Sequence, residues 1–219
     1  IVTHGVGKVG GALLAPPEGA WGMPLEELAK HESYAGTKQE RQEKARALMA
    51  AEGYGPDNKL KIKVSTRDFT AYKDPAVILV DQLNQVYFEA ELEIVESSLY
   101  FGRMIKGNYT VALNLTGSSV DDPDAVLKAN YLCEAQNNYT KYCNPEVDKL
   151  IHAQSAETDA AKRKEISWQI EHLLIEDGAR PMIYHGNVNT CWHSYLKGIV
   201  RKRDSIYNDW RFEQMWFDK

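Results

Sequence analysis

The sequence predicts an α/β fold. Residues 59–65 alternate strictly, with Leu60, Ile62 and Val64 on one face and lysines on the other, as in a half-buried strand. A helical apolar pattern follows, and a second alternating stretch around Leu92 and Ile94 comes after it. This order of strand, helix and strand predicts a right-handed β-α-β unit with parallel strands.

The first elements are expected on either side of residue 37. Residues 1–36 are rich in glycine and proline and lack a sustained apolar period, so we expect a connecting segment there. Thr37 and Glu40 have the spacing of a capping box, which predicts a helix over residues 38–52 that ends at Gly53.

Three helix starts share one signature, a capping Asp or Asn followed by proline at the first helical position. They are Asp74-Pro75, Asp122-Pro123 and Asn144-Pro145. Asp122 could instead contact a bound ligand, and we favour the cap. Thr158 precedes a further long helical pattern.

The remaining stretches predict one short helix and three strands. Ser97 and Ser98 begin a helix that is broken at Gly107, and residues 109–115 read as a strand. Residues 182–184 and 188–192 read as two strands around a Gly-Asn turn.

Composition excludes several classes of protein. The 26 Lys and Arg against 31 Asp and Glu leave a net charge of −5, without the basic excess that binds nucleic acid. No apolar stretch approaches the ~20 residues that span a bilayer. Because the sequence begins at Ile1 without an initiator Met, we expect a fragment whose targeting peptide was removed or lies outside it.

Signals for enzymatic chemistry are weak. Residues 5–10 match the dinucleotide pattern G-x-G-x-x-G, but a preceding strand and a following helix are missing. An α/β enzyme that uses this segment for a nucleotide is the alternative interpretation. The six histidines include no H-x-x-x-H pair and the chain has no G-x-S-x-G, so we expect neither a metal site, nor a cofactor, nor an enzyme.

A polar loop lies between Cys133 and Cys143. The two thiols are either unrelated buried groups, as in a cytosolic protein, or a staple that stabilises an exported loop by up to ~3 kcal/mol. Asn138 and Tyr139 in this loop could hydrogen-bond to a small polar ligand and stack on it. A loop that is merely polar is an equal alternative.

Several pieces, in order, resemble the C-terminal half of the peptide/nickel class of solute-binding proteins, which serve bacterial ABC importers and include the dipeptide- and oligopeptide-binding proteins. The pieces are residues 44–54, the strand and helix through residue 86, Asp122-Pro123-Asp124, and residues 138–151 with Tyr142-Cys143-Asn144-Pro145. The last is the most specific, and together they cover nearly the whole chain.

The resemblance implies the second lobe of a periplasmic-binding-protein-like fold, with a mixed sheet flanked by helices. Residues 1–36 would connect from the hinge or first lobe, residues 37–191 would form the lobe, and residues 192–219 would return toward the first lobe. It also implies a Cys133–Cys143 bridge, a periplasmic or extracellular location, a monomer, and two kinds of partner: a small-molecule or peptide solute and ABC permease subunits.

One departure from the family bears on the ligand. Peptide-binding members carry an Asp four residues before the proline of the Asp122-Pro123 loop, where it pairs with the peptide's α-amino group; here that residue is Ser119. A neutral hydroxyl cannot replace a charge-assisted bond of ~1.5–3 kcal/mol, which argues against ordinary peptide binding. The predicted solute-binding residues are Ser119, Asp121, Asn138 and Tyr139, with Trp21 and Trp192 as weaker candidates near the hinge.

Overall fold

The computed structural model describes Gly11 and residues 21–117, 120–186, 189–200 and 211–218. They divide into two compact units. Residues 29–116 form one, which we call the sheet unit; the described residues up to 28 and from 117 onward form the other, the helical unit. The predicted connecting segment, lobe and returning tail stay a prediction about the whole protein.

The elements follow one another in chain order. The helices are α1 Leu25–Leu28, α2 Lys38–Ala51, α3 Thr70–Asn84, α4 Ser97–Ile105, α5 Pro123–Asn130, α6 Pro145–Ala156 and α7 Ala160–Glu176. The strands are β1 Leu60–Arg67, β2 Phe88–Val95, β3 Val111–Ala112, β4 Leu196–Lys197 and β5 Trp216–Phe217.

The sheet unit is built on the predicted β-α-β unit. Its strands lie in the order β2-β1-β3, and β1 pairs in parallel with both neighbours. Helix α3 connects β1 to β2 and packs Ala76 against Ile62 and Val64 in the apolar core. The α/β class is therefore confirmed. The three strands described in this sheet are all parallel, and the antiparallel pairing of β4 with β5 belongs to a separate ribbon.

The capping box at the start of α2 is confirmed. The Thr37 hydroxyl accepts from the amide of Glu40 at 3.3 Å, and the Glu40 carboxylate accepts from the amide of Thr37 at 2.6 Å. The residue after the helix and its cap, Gly53, has φ 84°, a left-handed conformation that glycine adopts without steric cost.

Three predicted element bounds were wrong. Helix α3 begins at Thr70, so Asp74 is not its cap and Pro75 lies inside it. Proline has no amide hydrogen, so the carbonyl of Ala71 lacks its helical donor at Pro75. Ala71 is exposed, and water can donate to that carbonyl instead. Helix α7 begins at Ala160, shortly after Thr158 as expected, and its cap is Asp159.

The other two errors concern strands. Of residues 109–115 only β3 is a strand, and of residues 182–184 and 188–192 none of the described ones is. Alternation predicts which side chains share a face, but a strand also needs a neighbour along its whole length.

The helical unit packs α5, α6 and α7 around one apolar core that includes Leu127, Val147, Ile151, Ile170 and Leu174. Asp122 and Asn144 cap α5 and α6 through bonds to the second amide of each helix, as the sequence predicts. None of the helices described is long and apolar enough to cross a membrane.

Candidate functional site

Two of the predicted residues, Trp21 and Asp121, lie together in the helical unit. The Trp21 indole nitrogen donates to the carbonyl of Asp121 at 3.1 Å, and the Trp168 indole nitrogen donates to the carbonyl of Trp21 at 2.9 Å. The Arg163 guanidinium lies over the Trp21 ring at 4.9 Å. Trp21 is thereby fixed against the loop that precedes α5.

Asp122 is occupied by the protein itself. Arg163 binds its carboxylate through two nitrogens at 2.6 and 2.9 Å, and the same carboxylate accepts from the amide of Asp124 at 2.9 Å. The expected cap is confirmed. Asp121, the residue before it, stays a predicted contact for a solute.

The disulfide between Cys133 and Cys143 is formed, as the family resemblance predicts. The amide of Cys133 donates to the Asp148 carboxylate of α6 at 3.1 Å. The Tyr142 hydroxyl donates to Asp177, at the end of α7, at 2.6 Å. This bond, with a second from Asn144, holds the pKa of Asp177 below its usual range. Both ends of the loop are thus tied to helices.

Asn138 lies inside the loop, with 2% of its surface exposed. Its side-chain nitrogen donates to the carbonyls of Leu132 and Tyr142, at 3.1 and 2.6 Å, and its oxygen accepts from Thr140 at 3.3 Å.

Tyr139, the next residue, is half-buried and faces a cation. The Arg180 guanidinium lies 5.9 Å from the centre of the Tyr139 ring and 6.0 Å from that of Tyr131. Arg180 also donates to the Asn130 side chain at 3.1 Å. Burial raises the pKa of Tyr131 to about 12, so its hydroxyl stays neutral.

The two polar loops lie at opposite ends of α5. Asp121 precedes the cap of that helix, whereas the amide of Asn137 bonds to the carbonyl of Ala129 at its far end. Eight helical residues separate the two points by ~12 Å. Asp121 and Tyr139 therefore do not meet directly. Ser119 lies outside the described residues, so its role stays a prediction. Trp192 is 46% exposed, and its role as a solute contact also stays a prediction.

A residue that the sequence analysis missed, Arg67, ends β1 in the sheet unit. Its guanidinium lies 5.0 Å from the centre of the Tyr72 ring, and at 5.3 and 5.9 Å from those of Phe101 and Phe69. Its nitrogen Nε also donates to the Ser97 hydroxyl at 3.4 Å. Within the described ranges no carboxylate pairs with it. The missed signal was its position, because ligands of parallel α/β sheets bind at the carboxyl ends of strands.

The sheet unit also has a pocket of about 380 Å³ near the C-terminal end of α4. On its wall the Ser65 hydroxyl donates to Glu93 at 2.7 Å and Arg103 donates to the same carboxylate at 2.9 Å. The hydrogen bond from Ser65 is the main cause that holds the pKa of Glu93 below its usual range, and the ion pair with Arg103 adds to it. Because these groups satisfy one another, we assign no ligand to the pocket.

The glycine motif at residues 5–10 lies outside the described residues, so the structure offers nothing for the nucleotide alternative. In the ranges that are described, no three His, Cys, Asp or Glu side chains are grouped as a metal site requires.

A family model for the middle part of the bacterial extracellular solute-binding proteins, family 5, matches residues 3–138. The chain belongs to this family. The family resemblance seen in the sequence is thereby confirmed. Among its relatives is the periplasmic oligopeptide-binding protein OppA of Haemophilus influenzae, 30% identical over 77% of this chain and 32% of the relative. The probable D,D-dipeptide-binding periplasmic protein DdpA of Escherichia coli is 28% identical over 57% of this chain and 25% of its own length.

Solved structures of the same fold cover the whole chain. The E. coli murein tripeptide binding protein MppA superposes with a TM-score of 0.81 at 20% identity, over 100% of this chain and 42% of MppA. H. influenzae OppA in complex with RPPGFSPFR gives a TM-score of 0.77 at 20% identity, over 100% and 42% of the two chains. The chain spans about a third of the curated relative OppA.

Proposed function

We propose that this chain is part of the solute-binding component of a bacterial ABC importer, which binds a small polar solute reversibly and releases it unchanged. The match of the family-5 model over residues 3–138 carries the proposal. The rest of the protein would supply the other wall of the cleft, and closure over the solute would signal to the permease subunits. We expect the protein to act as a monomer and without a cofactor.

The location that fits this function is the periplasm or the outer face of the cell. The Cys133–Cys143 disulfide supports it, because disulfides persist in oxidising compartments. The named relatives OppA and DdpA are periplasmic proteins.

Candidate contacts lie in each unit, and each unit is considered by itself. In the sheet unit, Arg67 offers a cation among three rings, with no carboxylate paired to it in the described ranges, which suits a carboxylate of the solute. In the helical unit, the candidates are the carboxylate of Asp121, whose carbonyl accepts from Trp21, and the half-buried ring of Tyr139 beside Arg180. We keep Ser119 and Trp192 from the sequence-based set, whereas the side chain of Asn138 is bonded within its own loop.

The solute we favour is peptide-like and held mainly through its carboxylate. The relatives OppA and DdpA are named as oligopeptide-binding and D,D-dipeptide-binding proteins, which favours a peptide-like solute for this chain. Ser119 speaks against strong recognition of an α-amino group, because it lacks the charge that pairs with an ammonium. An ion pair between Arg67 and a carboxylate of the solute does not depend on Ser119.

Thermal-shift screening of the full-length protein tests the class of ligand. Peptides, sugars, metal chelates and nucleotides are each added at increasing concentration. A true ligand at 100 times its Kd stabilises the protein by about 2.7 kcal/mol. A response to peptides supports the proposal, and a response to nucleotides alone would favour the enzyme alternative.

Arg67 can be tested with a matched pair of ligands. We expect full-length protein to bind trialanine at least ~10-fold more tightly than its C-terminal amide, because only the former carries a carboxylate. Arg67→Gln should abolish this preference, while Arg46→Gln, on α2, should keep it. Isothermal titration gives the four affinities. A preference that survives Arg67→Gln would remove Arg67 from the site.

A further inference from the structure

The loop between the two cysteines is closed at its base by two separate ties. One is the Cys133–Cys143 disulfide. The other is the Asn138 carboxamide, which donates to the carbonyls of Leu132 and Tyr142. These two residues immediately precede the two cysteines. The disulfide and the carboxamide therefore hold the same two ends of the loop together, the first covalently and the second by hydrogen bonds.

The carboxamide of Asn138 has no donor left for a solute. An asparagine side chain carries two N–H groups, and each is used inside the loop. Its oxygen accepts from Thr140. With 2% of the residue exposed, a solute could reach it only by breaking these bonds.

The position that depends on this closure is that of Tyr139. It follows Asn138 directly, and its ring lies 5.9 Å from the Arg180 guanidinium. The bonds from Cys133 to Asp148 and from Tyr142 to Asp177 anchor the base of the loop to α6 and α7. Asn138 is the link between this anchored base and the tip that carries Tyr139.

We propose that Asn138 is a positioning residue and not a solute contact: together with the disulfide it holds the loop closed, and either tie alone keeps Tyr139 in place. The part that concerns affinity rests on the proposed function, whereas the part that concerns loop closure does not. Affinity falls only when the closed loop is no longer the dominant state, because the apparent Kd is the intrinsic Kd divided by the closed fraction.

The test uses four forms of the full-length protein: the parent, Asn138→Ala, the pair Cys133→Ala and Cys143→Ala, and all three changes together. Gln136→Ala, an exposed amide in the same loop, is the matched control. Two quantities are measured. One is hydrogen exchange at the amides of Asn137, Asn138 and Lys141, which are bonded within the closed loop or to α5. The other is the Kd for trialanine.

We expect Asn138→Ala alone and the cysteine pair alone to change the Kd by less than ~3-fold, with exchange of the loop amides accelerated in each. The combined variant should lose amide protection in the loop and bind at least ~10-fold more weakly. In the combined variant, Tyr139→Ala should have no further effect on the Kd, although it weakens binding by the parent.

Two results would overturn the proposal. If Asn138→Ala alone weakens binding ~10-fold while the loop amides stay protected, Asn138 contacts the solute. If the combined variant keeps its loop protection, neither tie closes the loop. Should the parent fail to bind trialanine, the proposed peptide function fails, and the exchange measurement still decides on loop closure. Unchanged exchange in α6 and α7 shows that each variant is folded.

Discussion

Asp122 performs two structural tasks with one side chain. Its carboxylate caps α5 and also pairs with Arg163, whose side chain is 17% exposed. The ion pair is bidentate and partly buried, a geometry in which such pairs stabilise more than exposed ones. Arg163 in turn lies against Trp21, so the pair also fixes a residue beside Asp121.

These two tasks can be separated by substitution. Asn can cap a helix but carries no charge, so Asp122→Asn should remove only the ion pair, whereas Asp122→Ala should remove the cap as well. We expect Asp122→Ala to destabilise the protein by about 1 kcal/mol more than Asp122→Asn. Urea unfolding of the full-length protein measures the difference. The control is Asp159, a cap with no ion pair among the described residues, replaced by Asn and by Ala. Equal effects of the two Asp122 variants would contradict the interpretation.

The sequence predicted residues whose role is local. The capping roles of Asp122 and Asn144 follow from their place before a proline, and Thr37 and Glu40 follow from their spacing. The inward position of Asn138 was not predictable, because its partners Leu132 and Tyr142 are set by the path of the whole loop. Arg67 was missed because the sequence does not show that the nearby Phe69 and Tyr72 and the distant Phe101 converge on its guanidinium.

At the scale of elements, the start of α3 departs from the usual chemistry of helix caps. The cap residue is Phe69, which has the extended backbone of a cap but makes no capping bond with its side chain. It is 62% exposed and lies beside Arg67. Natural proteins keep such local violations mainly at functional sites. The error in predicting this helix has the same origin, since Asp74-Pro75 carries the cap signature and Phe69 does not.

This gives a prediction with two opposite effects. Phe69→Ser should stabilise the protein by about 0.5–1 kcal/mol, because serine can accept a bond from the first turn of α3. It should also weaken trialanine binding ~3-fold, because the guanidinium loses one of its rings. Urea unfolding and isothermal titration measure the two effects.

Phe212→Ser serves as the control, since Phe212 is 70% exposed in the helical unit and far from α3 in sequence. It should leave the affinity unchanged. A stabilised Phe69→Ser protein with the affinity of the parent would show that Phe69 is kept for a reason other than binding.

At the scale of the whole molecule, the order of elements was easier to predict than their edges. The parallel β1-α3-β2 unit follows from two alternating stretches around a helical one, and local periodicity is sufficient for that. The short β3 and the lack of strand in residues 182–184 depend on which neighbours are available, which periodicity does not contain.

The chain matches 32% of the length of OppA and 42% of MppA, which bears on what it can do alone. If the proposed cleft has its second wall in the rest of the protein, the 219-residue chain should bind trialanine weakly or not at all. Isothermal titration of this chain beside the full-length protein measures the contrast. A single reactive thiol, from the exposed Cys191, would show that the disulfide is formed, and cooperative urea unfolding would show that the chain is folded. Micromolar binding by such a folded chain would mean that its own residues form the complete site.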